Sequence, residues 1–214
     1  MQLKPLLENI IKEEEDKANI DALDKAMASA FAELGAEYKA KSAELKKDVE
    51  QADIQVNESV TAITIIGALL AAPKIVELIV KGISKLVNVF KKLYKPNQAK
   101  NDQEGMANTI IEFTHKWHKV YINGLKGLLK LTGVFKKAGI TQEADQQKAA
   151  EAIYYVIVAG LAVYSGVGAV SAFKSAAAGS GHAAGFSLAA FEAAMASIKS
   201  SEVATFVGKL GLKS

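Results

Sequence analysis

The residues best suited to chemistry are two histidines three positions apart on one predicted helix. Glu112 precedes His115 in a Glu-x-x-His pattern, and His118 follows one turn later. Di-iron bundles need two such motifs together with further carboxylates, whereas this chain carries the motif once. We therefore predict that both histidines lie on a polar face beside Lys116 and Lys119, and we expect no metal and no other cofactor.

The remaining candidate patterns for catalysis are incomplete. His182 lies in the glycine-rich run GSGHAAG, which lacks the Lys-Ser/Thr of a phosphate loop and follows no predicted strand. The chain contains no cysteine, which excludes disulfides, thiolate metal sites and cysteine nucleophiles. A serine hydrolase needs a strand–turn–helix elbow, and no such pattern occurs. We expect a protein that is not an enzyme and takes no small-molecule substrate.

The composition predicts an all-α protein. Among 214 residues there are only three prolines, and Ala, Lys, Glu and Leu are abundant, so long helices with few breaks are favoured. We expect a bundle of six to eight helices, with long amphipathic helices and a C-terminal hydrophobic helical hairpin. A charged run soon follows Met1, so we expect no secretory signal peptide.

Charge divides the chain into three parts. Residues 1–58 form an acidic helical arm with eight lysines and fourteen acidic residues. Residues 59–137 form a basic amphipathic helical region with thirteen lysines and four acidic residues. Residues 138–214 carry five lysines and five acidic residues, so this part has no net charge. A polar loop at 95–105 interrupts the basic region. The third part contains the apolar hairpin and a short last helix at 202–210, for which Ser201 is the predicted N-cap. This order suits a protein at an anionic surface.

The acidic arm carries a narrow apolar stripe. Between residues 20 and 54, residues such as Met27, Leu34, Leu45 and Val49 recur at helical spacing within a highly charged sequence. A narrow stripe indicates contact with one partner. That partner is either the rest of this chain or a neighbouring copy in an oligomer.

Lysines recur along one face of the predicted helix at 74–94, at intervals of seven, four and seven residues. Pro73 is predicted in the first turn of this helix, and Ile75 and Ile79 are predicted on its apolar side. Outward lysines continue on the predicted helix at 106–138, for which Gly139 is the predicted C-terminal cap. The predicted buried residues of this helix include Val120, Leu125 and Leu128. Three interpretations are open: a surface for anionic lipid headgroups, a surface for nucleic-acid phosphates, or a solvated face. The candidate anion-binding residues are Lys74, Lys81, Lys85, Lys92, Lys126 and Lys130.

Residues 152–173 carry no acidic or basic side chain apart from tyrosines. As one helix they would extend about 33 Å, close to the hydrocarbon thickness of a bilayer. With the alanine-rich helix predicted at 183–198 they would form a hydrophobic hairpin that inserts into lipid; the alternative is a helix buried inside a bundle. The predicted insertion residues are Ile153, Val156, Leu161, Val163, Val167, Val170, Phe173, Phe186, Leu188 and Phe191.

The N-terminal lead MQLKPLLENIIKEEE resembles the starts of small structural proteins of T4-like tailed phages. Leu6-Leu7-Glu8 and Ile11-Lys12-Glu13 also resemble the Leu/Ile-x-Glu sites that prohead proteases of such phages recognise. The resemblance implies a virion protein packaged in the head or tail, for which an apolar hairpin would assist delivery through a host envelope.

These patterns together predict a non-enzymatic, membrane-interacting helical protein, either membrane-associated or in a virion. Its expected partners are a lipid bilayer, met conditionally, and a homo-oligomer or larger protein assembly. One alternative is a helical pore-forming or lysis protein. The other is a soluble helical assembly protein that binds protein or nucleic acid through its lysine face.

Overall fold

The computed structural model describes residues 21–22, 25–52, 62–93, 102–164, 166, 168, 170–171, 173–174 and 187–210. Regular structure in these residues is helical, which confirms the all-α class. The helices are α1 (25–40), α2 (Ser42–Gln51), α3 (Ala62–Leu70), α4 (Pro73–Leu93), α5 (Asp102–Thr132), α6 (Val134–Lys137), α7 (Glu143–Tyr164), α8 (Leu188–Ser197) and α9 (Ser201–Lys209).

Helix α7 is the centre of the fold. Every residue from 153 to 160 is buried, because a helix that is apolar all round needs cover on all sides. Helices α5 and α8 provide most of that cover, and α3 and α9 also pack against it. In this structure α7 is therefore a central bundle helix, as one of the two sequence interpretations proposed.

The predicted continuous helix over residues 152–173 is wrong. Helix α7 ends at Tyr164, and Gly166 follows with a φ of 99°, a conformation that a side chain with a Cβ rarely adopts. The Gly166 N–H donates to the Val163 carbonyl at 3.0 Å, and the Val170 N–H donates to the Gly166 carbonyl at 3.2 Å. The described residues that follow this turn, at 168, 170–171 and 173–174, are again helical.

The break shortens the apolar helix. Residues 152–164 extend about 20 Å at 1.5 Å per residue, well below the roughly 30 Å of a hydrocarbon core. Among the described residues, none of the helices combines the length and apolar character needed to cross a bilayer.

Helices α1 and α2 pack along α4 and α5 through the apolar stripe. Phe31 stacks on Trp117 with ring centroids 5.8 Å apart. Tyr38 lies so close to Gly82 that a Cβ there would meet the tyrosine hydroxyl oxygen at 2.8 Å. The apolar stripe therefore packs against the rest of the same chain. The buried residues of the stripe are Met27, Ala30, Leu34, Leu45, Val49 and Ala52.

Glycines also end the helix predicted at 106–138. Gly133 has a φ of 84° and separates α5 from the short α6, so the single long helix is wrong at this point. Gly139, predicted as a C-terminal cap, has a φ of 75°. The next N–H, from Ile140, donates to the Phe135 carbonyl at 2.8 Å, the bond that characterises a glycine-capped helix end.

Other helix boundaries differ from expectation by a few residues. Pro73 occupies the first position of α4, as predicted. Helix α5 begins at Asp102, so the predicted loop is wrong over 102–105, and its residues 95–101 lie outside the described part. The N-cap of α9 is Ser200, whose Oγ accepts from the Val203 N–H at 3.4 Å, rather than Ser201.

Candidate functional site

Apart from Val163, the predicted insertion residues that the structure describes lie in the core or pack against it. Ile153 and Val156 are buried in α7. Phe173 and Phe191 have no exposed surface, and their rings stack 5.8 Å apart at an angle of 10°. The half-buried members are Leu161, Val163, Val170 and Leu188. Outside the described side chains lie Val167 and Phe186.

The lysine face of α4 meets the acidic arm of the same chain. The Lys74 ammonium lies 2.7 Å from a Glu44 carboxylate oxygen. Lys81 lies 2.7 Å from Glu37. These contacts, with a third between Lys85 and Glu33, run antiparallel along the two segments. We call these three pairs the charge ladder. Lys92 is in α4, but its side chain lies outside the described part.

The ladder has matched spacing. Along the chain, the glutamates at 33, 37 and 44 are separated by four and then seven residues. Their partner lysines at 74, 81 and 85 are separated by seven and then four residues, which is the reverse order. Sequence inspection identified the lysine spacing and missed the equal spacing of the glutamates. The equal intervals could have indicated that these glutamates pair with the α4 lysines of the same chain.

The ladder shifts the acid–base equilibria of its members. A hydrogen bond from Lys85 lowers the pKa of Glu33, and one from Lys81 lowers the pKa of Glu37. The Lys74 hydrogen bond likewise lowers the pKa of Glu44. Because every pair has at least one side chain that is more than half exposed, salt screens the attraction and each pair is a weak contact alone.

The other two predicted anion-binding lysines are also paired. Lys126 lies 2.6 Å from one carboxylate oxygen of Glu143, and Lys130 lies 3.2 Å from the other. Both hydrogen bonds lower the pKa of Glu143. Lys126 also donates to Gln147 at 3.1 Å, and its side chain is only 19% exposed.

A second group of lysines surrounds a groove, and of its members only Lys130 was among the predicted anion-binding residues. This lysine groove has a volume of about 1010 Å³ and lies between α2, the end of α5, and α6. Lys46, Lys130, Lys136 and Lys137 line it with one carboxylate, that of Glu50. The Lys137 ammonium donates to the backbone carbonyl of Glu50 at 2.8 Å, so this hydrogen bond does not involve the Glu50 carboxylate.

An apolar cavity of about 400 Å³ lies between α1, α4 and α5. Its wall includes Leu34 from α1, Ile79 from α4 and Leu125 from α5, all buried. Tyr38 also lines it, and burial, followed by the nearby Glu37 charge, raises the pKa of the Tyr38 phenol to about 12. This cavity could accommodate an uncharged, flexible group.

A third cavity, of about 800 Å³, lies between α5, α7 and α8 and includes His118 and Glu151. His118 is buried, with its ring centroid 6.5 Å from that of Tyr154. The predicted polar-face position of His118 is therefore wrong. Across the cavity, the Ser187 N–H donates to the Tyr155 hydroxyl oxygen at 2.5 Å.

The motif that includes His115 and Glu112 belongs to α5, but those two side chains lie outside the described part. Within the part that is described, no three histidine, aspartate or glutamate side chains are grouped to hold a metal ion. The described geometry thus directs attention to the charge ladder, the lysine groove and the apolar cavity.

Comparison of the chain with models of protein families, with curated proteins and with solved structures finds no match. Any functional conclusion therefore rests on the chemistry of these three features.

Proposed function

We propose that this protein is a non-enzymatic helical protein that acts at the surface of an anionic bilayer. The observation that carries the proposal is the charge ladder, in which three carboxylates of the arm neutralise three lysines of one helix face. Such a face would attract anionic headgroups if the arm were displaced, because each lysine near an anionic membrane surface contributes to binding.

The ladder suits exchange because two of its three lysines are at least half exposed. The side chains of Lys81 and Lys74 are 61% and 50% exposed, so both ammonium groups are accessible from solvent. An anionic surface presents many phosphates at once and competes with the arm carboxylates for the same lysines. Displacement of the arm would also uncover the apolar stripe beneath it.

Insertion is the second step of the proposed mechanism. The buried run of α7 and the stacked Phe173–Phe191 pair store apolar surface that would favour a hydrocarbon environment. In the bilayer, residues 152–173 and 183–198 would form the apolar hairpin. The turn at Gly166 would then straighten, because a continuous helix satisfies its own backbone hydrogen bonds in lipid.

The phage-like lead sequence extends the proposal to a virion structural or ejection component that works in an assembly of several copies. Residues 1–20, which carry that resemblance, lie outside the described part. Delivery through a host envelope requires contact with a bilayer, so the two parts of the proposal agree.

Flotation with anionic liposomes tests membrane binding directly. We expect the protein to float with vesicles at low salt and to dissociate as salt screens the contact. Changing Glu33, Glu37 and Glu44 together to glutamine should strengthen binding roughly tenfold or more, because three lysines are freed. If both proteins stay in the aqueous fraction at low salt, the proposal is wrong.

A matched control separates the ladder from total charge. Asp145→Asn, Glu192→Gln and Glu202→Gln together remove the same number of carboxylates from positions outside the ladder. We expect this control to bind less tightly than the ladder variant. Release of an entrapped dye would favour a pore-forming protein, and binding to nucleic acid without lipid would favour an assembly protein.

A further inference from the structure

The lysine groove and the apolar cavity adjoin each other. Gly127 and Leu131, one helical turn apart on α5, line both of them. A ligand that occupies both must pass these two residues. The pair of sites therefore has one apolar end and one cationic end.

The apolar end has space that no side chain fills. At Gly35, Gly124 and Gly127, an added Cβ would meet nothing within 4 Å outside its own helix. The volume of about 400 Å³ lies within the range of roughly 300–1,000 Å³ that small-molecule sites occupy. Lys39 is the charged residue in the lining, so this end suits a hydrocarbon chain.

The cationic end has positive charge that the fold leaves in excess. Lys46 and Lys136 form no ion pair with any described residue. Lys137 donates to a backbone carbonyl, and Lys130 shares Glu143 with another lysine. By contrast, the three α4 lysines of the charge ladder each have a carboxylate partner. The lining has four lysines and one carboxylate, that of Glu50, so this end suits an anionic group.

We propose that one anionic phospholipid binds across the two sites, with an acyl chain in the apolar cavity and its phosphate among the lysines of the groove. The proposal rests on the proposed function in that it takes the lipid from a bilayer. It adds a defined site and a ligand class. A free phosphate would use only the groove, and an uncharged hydrocarbon would use only the cavity.

Gly127 offers a test that does not depend on damaging the fold. It is an exposed residue within α5, and the space around its Cβ position is open. Gly127→Leu should raise the melting temperature, because leucine favours a helix more than glycine does. The same side chain should obstruct the junction between the two sites. Gly208→Leu, at an exposed glycine of α9 with open space, is the matched control.

Binding can be measured with lauroyl lysophosphatidylglycerol below its critical micelle concentration. The single tryptophan, Trp117, stacks on Phe31, which lines the apolar cavity, so its fluorescence should report chain binding. Isothermal titration calorimetry provides an independent measurement. We expect saturable binding that weakens at least tenfold in Gly127→Leu and stays unchanged in Gly208→Leu. Equal affinity in wild type and Gly127→Leu would overturn the proposal.

Headgroup and chain are tested separately. Lys46→Gln with Lys136→Gln should weaken binding of the anionic lipid at least fivefold, and Lys199→Gln with Lys209→Gln should leave it unchanged. Shortening the chain by two methylenes should weaken binding about sixteenfold, since each buried methylene contributes about fourfold. Equally tight binding of glycerophosphoglycerol, which has no chain, would overturn the proposal, as would no dependence on Lys46 and Lys136.

The two proposals fail in different ways. If the protein floats with anionic liposomes but lauroyl lysophosphatidylglycerol does not bind, the lipid site is wrong and the proposed membrane function stands. If the soluble lipid binds with the expected variant pattern but the protein does not float, the site stands and the membrane function is wrong.

Discussion

Gly166, which divides the apolar segment, provides a direct test of how the native fold holds that segment. Its φ of 99° lies in a region that costs a residue with a Cβ about 1–3 kcal/mol. Gly166→Ala should therefore destabilise the native fold by about that amount. Part of this loss is offset, because alanine restricts the unfolded chain more than glycine does and so favours the fold by about 0.4–1 kcal/mol.

Urea denaturation followed by circular dichroism measures this loss. A loss of 2 kcal/mol would lower the midpoint by about 1 M urea if the slope is about 2 kcal/mol per M. Gly168→Ala is the control, because Gly168 is an exposed helical residue whose φ is not positive. Alanine there should be neutral or stabilising by up to about 1 kcal/mol.

The comparison between the two variants decides whether the turn exists as the structure shows it. If Gly166→Ala is as stable as wild type or more stable, residues 152–173 form a continuous helix and the turn is wrong. If it is less stable and also binds anionic vesicles more tightly, the result supports straightening of this segment during insertion. Unchanged vesicle binding in a destabilised variant would contradict that step.

Three further outcomes are expected. Phe191→Ala should lower the free energy of unfolding by about 3–5 kcal/mol in urea titrations, because it empties a fully buried position; a loss below 1 kcal/mol would contradict its packing. Lowered pKa values at Glu33, Glu37 and Glu44 mean that the ladder stabilises the fold above the ordinary carboxyl pKa. That stability is lost as pH falls below 4.5 through the lowered values, so melting temperatures between pH 5 and 3 should fall less in a triple glutamine variant. The pKa of Tyr38, raised to about 12 from 10.0, means that the unfolded chain loses this proton first. Stability should decline between pH 10 and 12, and less steeply in Tyr38→Phe; equal slopes would contradict the burial of its hydroxyl.

Helix type and the buried faces were predictable from periodicity. The spacing of Ile75 and Ile79 indicated the inner face of α4, and both are buried. Leu125 and Leu128 did the same for α5. The pattern was wrong at Val120, which was expected inside and is 42% exposed, because one face of a long helix need not be covered along its whole length.

The helix breaks were harder to predict. Glycine inside a helix costs only about 1 kcal/mol relative to alanine, so a glycine marks a break only where packing favours one. Gly124 and Gly127 continue α5, whereas Gly133 ends it with a φ of 84°. The three residues look alike in sequence, and only the surrounding helices distinguish them.

In the candidate site, too, some features could be predicted from the sequence and others depend on how the helices pack. Charge counts and lysine intervals indicated a basic face, but its neutralisation by Glu33, Glu37 and Glu44 depends on how α1 and α2 dock on α4. The lysine groove brings together Lys46 and Lys136, which are far apart in the chain. No local pattern relates those two residues.

Helical hydrogen bonds join residues four apart, so the periodicity that specifies α-helices is a local property of the chain. Composition and spacing were therefore enough for the all-α class, the amphipathic faces and the apolar segment. The tertiary structure decided which charges are neutralised, where α7 ends and which cavities adjoin. Each of these depends on contacts between distant segments, and their free energies are set by the packing geometry of the whole bundle.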